Sequence, residues 1–199
     1  MSYYNTIDQE GLAELKEKGS KFLAYSFPFN DTNMLKPILQ KLKKEHPKAV
    51  HFCFGYRVGS DGNNFRSSDD GEPSGSAGKP ILGQIDSKEI TDVLIVVVRY
   101  FGGTLLGVPG LINAYKSSAA LALQVIPSVR KPLMYFCHIQ FDYTQQNDIM
   151  IILKQHSCII TSQETQLFSV LKVGIPQLRK EEVIYKLKKM RNVEIFELL

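Results

Sequence analysis

The stretch DVLIVVVRY, residues 92–100, narrows the folds open to this chain more than any other segment. From Val93 to Val98 it is uninterruptedly apolar and largely β-branched, the pattern of a strand covered on both faces. The run is far too short to cross a bilayer. It predicts a central strand with packed layers on either side, an α/β arrangement. RYFGGTLLGVPG (99–110) leaves that strand, and Leu111, Tyr115, Ala119, Ala122 and Ile126 then recur along one side of a helix. SSAA at 117–120 lets this helix approach the sheet closely. Strand, glycine loop, helix is a layout that binds ligands at strand ends.

Partners for the central strand are read upstream. KFLAYSF (21–27) and AVHFCFGYR (49–57) alternate as strands. In the second, Val50, Phe52, Phe54 and Tyr56 share one face, while His51, Cys53 and Arg57 share the other. Between them Leu35, Ile38, Leu39 and Leu42 have the spacing of a helix with one buried stripe; Pro37 predicts a late start or a kink.

A second glycine-rich segment, DDGEPSGSAGKP (69–80), also feeds a helix, with Pro80 suited to its first position. Lys79 and the turns before it would then form an N-terminus whose free N–H groups attract anions. Neither loop is a phosphate fingerprint. A Walker loop needs glycine at Pro73 and Ser or Thr at Pro80, and no GxGxxG occurs. The composition fits a structural turn, an anion site or a partner surface. Asp69, Asp70 and Glu72 would repel a phosphate unless Arg66, Lys79, Arg99 or a metal neutralised them. Three hard oxygen ligands suit Mg²⁺ or Ca²⁺, but the EF-hand spacing is absent, and no metal or cofactor is expected. At least one of Asp69 and Asp70 is expected to cap backbone N–H groups of the loop. His51 and Cys53 project to one side, yet a thiol–imidazole pair needs contact and an orienting third group, so Cys53 is read as a small apolar residue. The candidate binding surface comprises Arg66, Asp69, Asp70, Glu72, Ser74, Ser76, Lys79, Arg99, Tyr100, Gly102 and Gly103.

IPSVRKP (126–132) reads as a linker, dividing the chain into residues 1–128 and 133–199. The last third orders itself strand (MYFCHIQF), helix (TQQNDIMIILKQH), strand (CIITSQ), strand (LFSVLKV), helix and strand (VEIFEL). Its hairpin turn is placed near Glu164 to Gln166, and Pro176 opens the second helix. This is the βαββαβ, ferredoxin-like pattern. The net charge of +4 is shared evenly, 15 Lys/Arg against 13 Asp/Glu in residues 1–130 and 9 against 7 in residues 131–199. A dedicated nucleic-acid binder concentrates its basic residues. The runs KLKK (41–44) and KLKKMR (186–191) fall on amphipathic helices, where a solvated lysine face accounts for them. Three cysteines without a CxxC pair, and a start without an apolar leader, predict a cytoplasmic protein with reduced thiols and no membrane segment.

KGSKFLAY, KEHPKAVHFCFGYR, SSDDGEPSGSAGKPIL and VVVRYFGGTLLGVPGLINAY together resemble the YigZ/IMPACT family across residues 16–123. The pairing of the two loops at this separation carries the resemblance. It implies a first domain of the ribosomal protein S5 domain 2-like class, helices covering one face of a mixed sheet. It also implies a second domain similar to the ferredoxin-like domains of elongation factor G. The family pattern RYFGGIKLGxGGLxRAY is departed from at Leu105, Pro109 and Asn113, which removes two positive charges beside the second loop. Phe52 replaces a common second histidine. For eukaryotic relatives the resemblance implies regulation of translation; it supplies no catalytic residue. The expected function is therefore a non-enzymatic regulator or accessory factor of translation, binding ribosome, RNA or a translation-associated protein, with an anionic ligand at the loops. The alternative is an enzyme acting on a phosphorylated or carboxylated small molecule between the loops. A third reading makes the loops a lock and assigns the interaction to the last domain.

Overall fold

The computed structural model describes residues 2–165 and 167–197. Contacts divide the chain into two compact units, Tyr4–Lys131 and a second that begins at Pro132 and includes the first residues of the chain. The elements of the first part are β1 (Tyr3–Thr6), β2 (Gly11–Glu17), β3 (Ser20–Pro28), α1 (Leu35–Glu45), β4 (His51–Val58), β5 (Asn64–Ser68), α2 (Gly78–Ser87), β6 (Val93–Tyr100), α3 (Gly107–Gln124) and β7 (Val129–Pro132). Five strands form one sheet in the order β2-β3-β6-β4-β5, and β1 pairs with β7.

β6 is the central strand that its sequence requires. Val93, Ile95 and Val97 join Ile81, Ile85, Tyr115 and Ala119 in one apolar layer. Leu94, Val96 and Val98 meet Leu42, Phe52, Phe54 and Tyr56 in the other. Two details differ from the expected sandwich. Every pairing within the five-stranded sheet is antiparallel rather than mixed. Helices also cover both faces, α2 and α3 on one side and α1 on the other. A strand apolar on both faces requires two covering layers but does not fix its neighbours' direction.

Helix starts also differ. α1 begins at Leu35, directly after a 3₁₀ turn at Thr32–Met34, so Pro37 neither delays nor breaks it. In the first turn a proline removes only an N–H that lacks an intrahelical partner. By the same logic Pro80 is the third residue of α2, which starts at Gly78 and includes Lys79. α3 starts at Gly107, placing Pro109 and Gly110 in its first turn and shortening the second loop to residues 101–106. IPSVRKP is not simply a linker, because its second half is β7.

The second unit contains β8 (Met134–Phe141), α4 (Gln146–Gln155), β9 (Ile159–Thr165), β10 (Ser169–Pro176), α5 (Lys180–Lys188) and β11 (Val193–Glu197). Its antiparallel sheet, ordered β11-β8-β10-β9, has the ferredoxin-like arrangement. Cys137, Ile139, Phe141, Leu171 and Val173 pack against Ile149, Leu153, Val183 and Leu187 of its helices. Pro176 ends β10, and a 3₁₀ turn separates it from α5. Gln166 and Leu198, from the expected turn and last strand, lie outside the described residues. Among those described, no helix is long and apolar enough to cross a membrane.

Candidate functional site

The two glycine loops meet beside the end of β6, and a buried ion pair ties the first of them to that strand. Arg99, 5% exposed, donates from Nη1 to Glu72 Oε1 at 2.6 Å. The Tyr115 hydroxyl, from α3, donates to the same oxygen at 2.7 Å. Arg99 also lies over the rings of Phe22 and Phe101, and its Nη2 reaches Ser20 Oγ at 3.4 Å. Ser20 Oγ accepts the Gly102 N–H at 3.2 Å. Gly102 approaches β3 so closely that a Cβ would fall inside the backbone of Gly19 and Ser20. Both loops are thus fastened to the sheet, and Arg99 at the end of β6 touches each of them, Glu72 of the first and the Phe101 ring of the second.

The three acidic residues of the first loop do three separate jobs. Asp69 accepts the N–H groups of Gly75 (2.8 Å), Ala77 (3.0 Å) and Gly78 (2.8 Å). Burial works to raise its pKa, but those backbone donors and nearby Lys79 outweigh it and hold the carboxyl below its ordinary range. The anion at the start of α2 is therefore the protein's own carboxylate, as capping logic anticipates. Asp70, at φ +42°, accepts the Phe52 N–H at 2.7 Å. Its backbone carbonyl accepts from His51 Nδ1 at 2.8 Å. Its side chain replaces a ladder partner for β4, since β5 pairs only from Phe54 onward. Glu72 holds Arg99. With their oxygens so divided, the three do not converge as a ligand set for one cation.

The expected basic cluster does not assemble either. Arg66 is exposed on β5 and lies over the Phe54 ring, on the α1 face of the sheet. Arg99 stacks over Phe22 on the opposite face. Lys79 is exposed in the first turn of α2. Tyr100 belongs to the α1 face too, its hydroxyl 2.8 Å from His46 Nδ1. Adjacent strand residues point to opposite faces, so Arg99 and Tyr100 cannot serve one site. Ser76 donates to the Pro73 carbonyl at 2.6 Å and closes the turn, whereas Ser74 is exposed. Gly103 is left-handed at φ +85° in the second loop.

Cys53 is buried, its thiol 2.9 Å from the Asp69 carbonyl and 3.3 Å from the Tyr115 hydroxyl. Burial pushes this thiol's pKa well up, and only the Tyr115 hydrogen bond opposes the shift among its neighbours. It is a core thiol rather than a nucleophile. The same burial raises the Tyr115 phenol, with Cys53 and Glu72 adding to it.

Around this lock lies a pocket of about 430 Å³, with His51, Glu72 and Arg99 as its polar lining. Apolar rim residues include Val50 (53% exposed), Phe101 (49%), Leu105 (84%) and Val108 (47%). Tyr115, Ser20 and this rim were absent from the sequence-derived surface. Tyr115 carried the only signal, as the one polar-tipped bulky residue in a helical stripe of small and aliphatic ones.

The paired loops have relatives. The Impact N-terminal domain matches residues 18–123. The IMPACT family member YigZ of Escherichia coli (strain K12) is 34% identical over 172 residues, 85% of this chain and 84% of YigZ. The chain belongs to the IMPACT family. Protein IMPACT of Xenopus laevis is 35% identical over 98 residues, covering 47% of this chain and 31% of its own length. The family's shared part is therefore the loop-bearing unit. A solved structure described as a hypothetical protein superposes with a TM-score of 0.80 at 29% identity, covering 100% of this chain and 98% of that one. In this member both of the family's glycine loops are held to the end of β6, through Arg99.

Proposed function

We propose that this IMPACT-family chain is an accessory or regulatory factor of translation that acts by binding, not by chemistry. Family membership supports the link to translation, through the role that the resemblance implies for eukaryotic relatives. The observation that carries the binding side is the engagement of the loop groups. Asp69, Asp70, Glu72 and Arg99 hold one another or the backbone, and Cys53 is kept protonated by burial. Reactive groups tied up in this way hold a surface in shape.

A contact strip for RNA or the ribosome is available on α1, where Lys36, Lys41, Lys43 and Lys44 are all exposed. Phosphate contacts by such a strip release counterions, so the interaction should weaken steeply with salt. Residues 1–128 then carry the contact, and residues 133–199 form an appended third of the chain. The test is sedimentation of the tagged protein with ribosomes and RNA from lysate across a salt series. Co-sedimentation should be strong at low salt, fall as salt rises, and fail with Lys41→Glu and Lys44→Glu together. Absence of co-sedimentation at low salt contradicts the reading.

A further inference from the structure

The pocket beside the second loop has walls and a floor of different character, and together they specify a ligand. Its apolar rim, Val50, Phe101, Leu105 and Val108, leaves large side chains in contact with water. Its volume of about 430 Å³ lies in the range of small-molecule sites. The floor is polar and fixed in place. Glu72 Oε1 already accepts from Arg99 and Tyr115. Glu72 Oε2 accepts no hydrogen bond, yet it is not among the fully buried unpartnered atoms, which are Arg99 Nε, Gln146 Oε1 and Ser169 Oγ among the described residues. Glu72 lines the pocket with a side chain 4% exposed, so solvent contact at this oxygen is slight.

His51 supplies a second acceptor. The group facing its Nδ1 is the Asp70 carbonyl, 2.8 Å away, which can only accept. Nδ1 therefore carries the proton, and in the neutral ring Nε2 presents a lone pair. Nε2 lies 4.0 Å from Glu72 Oε1. With the His51 ring neutral the floor offers two neighbouring acceptors, and the charges of Glu72 and Arg99 cancel. A ligand carboxylate or phosphate would face Glu72 Oε2 with no net positive charge to meet it: Arg99 keeps an open donor at Nε, but its charge is already neutralised by Glu72. An ammonium would satisfy the acceptors but add a net charge to a neutral, partly buried site.

We infer that this pocket binds a small uncharged ligand whose apolar or aromatic body carries an NH₂ head, a primary amide or an aromatic amine, donating to Glu72 Oε2 and His51 Nε2. The body displaces water from the apolar rim, and the two N–H groups satisfy acceptors that the protein leaves open. The inference concerns free small molecules and stands independently of ribosome contact, because it is read on the purified protein.

A series with one body and different heads tests it. Benzamide, N,N-dimethylbenzamide, benzoate and benzylamine are titrated at pH 7.5 into protein labelled in its Val and Leu methyl groups and in histidine. The readouts are the shifts of Val50, Leu105, Val108 and His51. Benzamide should move all four and bind at least fivefold more tightly than any of the other three. His51→Phe keeps a ring at the site and should erase that advantage, bringing benzamide down to the affinity of N,N-dimethylbenzamide measured on the same variant. Glu72→Gln should weaken benzamide similarly if the variant folds; His51→Phe carries the test if it does not. Equal binding of benzamide and its dimethyl analogue, tighter binding of benzoate or benzylamine, or no shift at these residues with any probe overturns the inference.

Discussion

The two glycine loops invert each other. The first, residues 69–77, is dense with charge and hydroxyls, yet its polar groups are nearly all engaged within the protein. The second, residues 101–106, carries no charge, yet it leaves Phe101 and Leu105 open to solvent beside a pocket. The difference teaches that polarity in a sequence measures the capacity to bond, whereas availability depends on what the fold has already satisfied. A carboxylate with three backbone donors is a cap, and an exposed leucine over a cavity is surface available for binding.

The sharpest way to break this comparison is to remove what ties the loops to the sheet. Glu72→Ala leaves Arg99 buried without its counter-charge, and losing one partner of a buried pair costs about 3–5 kcal/mol. Urea unfolding should show that loss. Gly102→Ala forces a Cβ into the backbone of β3, and overpacking of this kind costs about 1–3 kcal/mol, readable in the same assay.

Asp69 provides a pH test. Its folded pKa is depressed, so its stabilising contribution is present above its unfolded value of about 3.9 and is lost as pH falls through the folded value. The stability gap between wild type and Asp69→Asn should therefore be full at pH 7, shrink below about pH 4 and close at lower pH. A constant gap from pH 7 to pH 2 would show that the carboxylate's charge is not what orders the loop.

Thiol labelling sharpens the same contrast from inside the core. At pH 8 the buried Cys53 should stay unmodified by iodoacetamide in the folded protein and react once urea is added. The smallest effect belongs to the second loop. Leu105→Ala, at a side chain 84% exposed, should change stability by no more than about 0.5 kcal/mol.

What could be read from sequence divides along the same physical line. β6, the α3 stripe and the βαββαβ unit were legible because burial imposes a period on their residues. β2, β5 and β7 were not. In β2 Leu12 is 52% exposed, β5 is NFRSS, and β7 is VRKP. Strands of this sort are held chiefly by hydrogen bonds to a neighbour, which leave little hydrophobic signature. The cap by Asp69 was legible because its donors lie within nine residues. The Arg99–Glu72 pair was not, since its partners are 27 residues apart, and Tyr115 reaches the same oxygen from 43 residues away. From sequence Arg99 is one of several basic residues that could meet an anion or neutralise the loop's acids, and only the folded chain shows it buried on Glu72.

A double-mutant cycle on Glu72 and Arg99 tests the lock most directly, with Glu72→Gln, Arg99→Met and the pair together compared by urea unfolding. Each single change should be strongly destabilising and the double variant should lose far less than their sum, a coupling of about 1.5–3 kcal/mol. Additive losses with no coupling would mean that Glu72 and Arg99 do not hold one another, contradicting the claim that this pair locks the first loop to the end of β6.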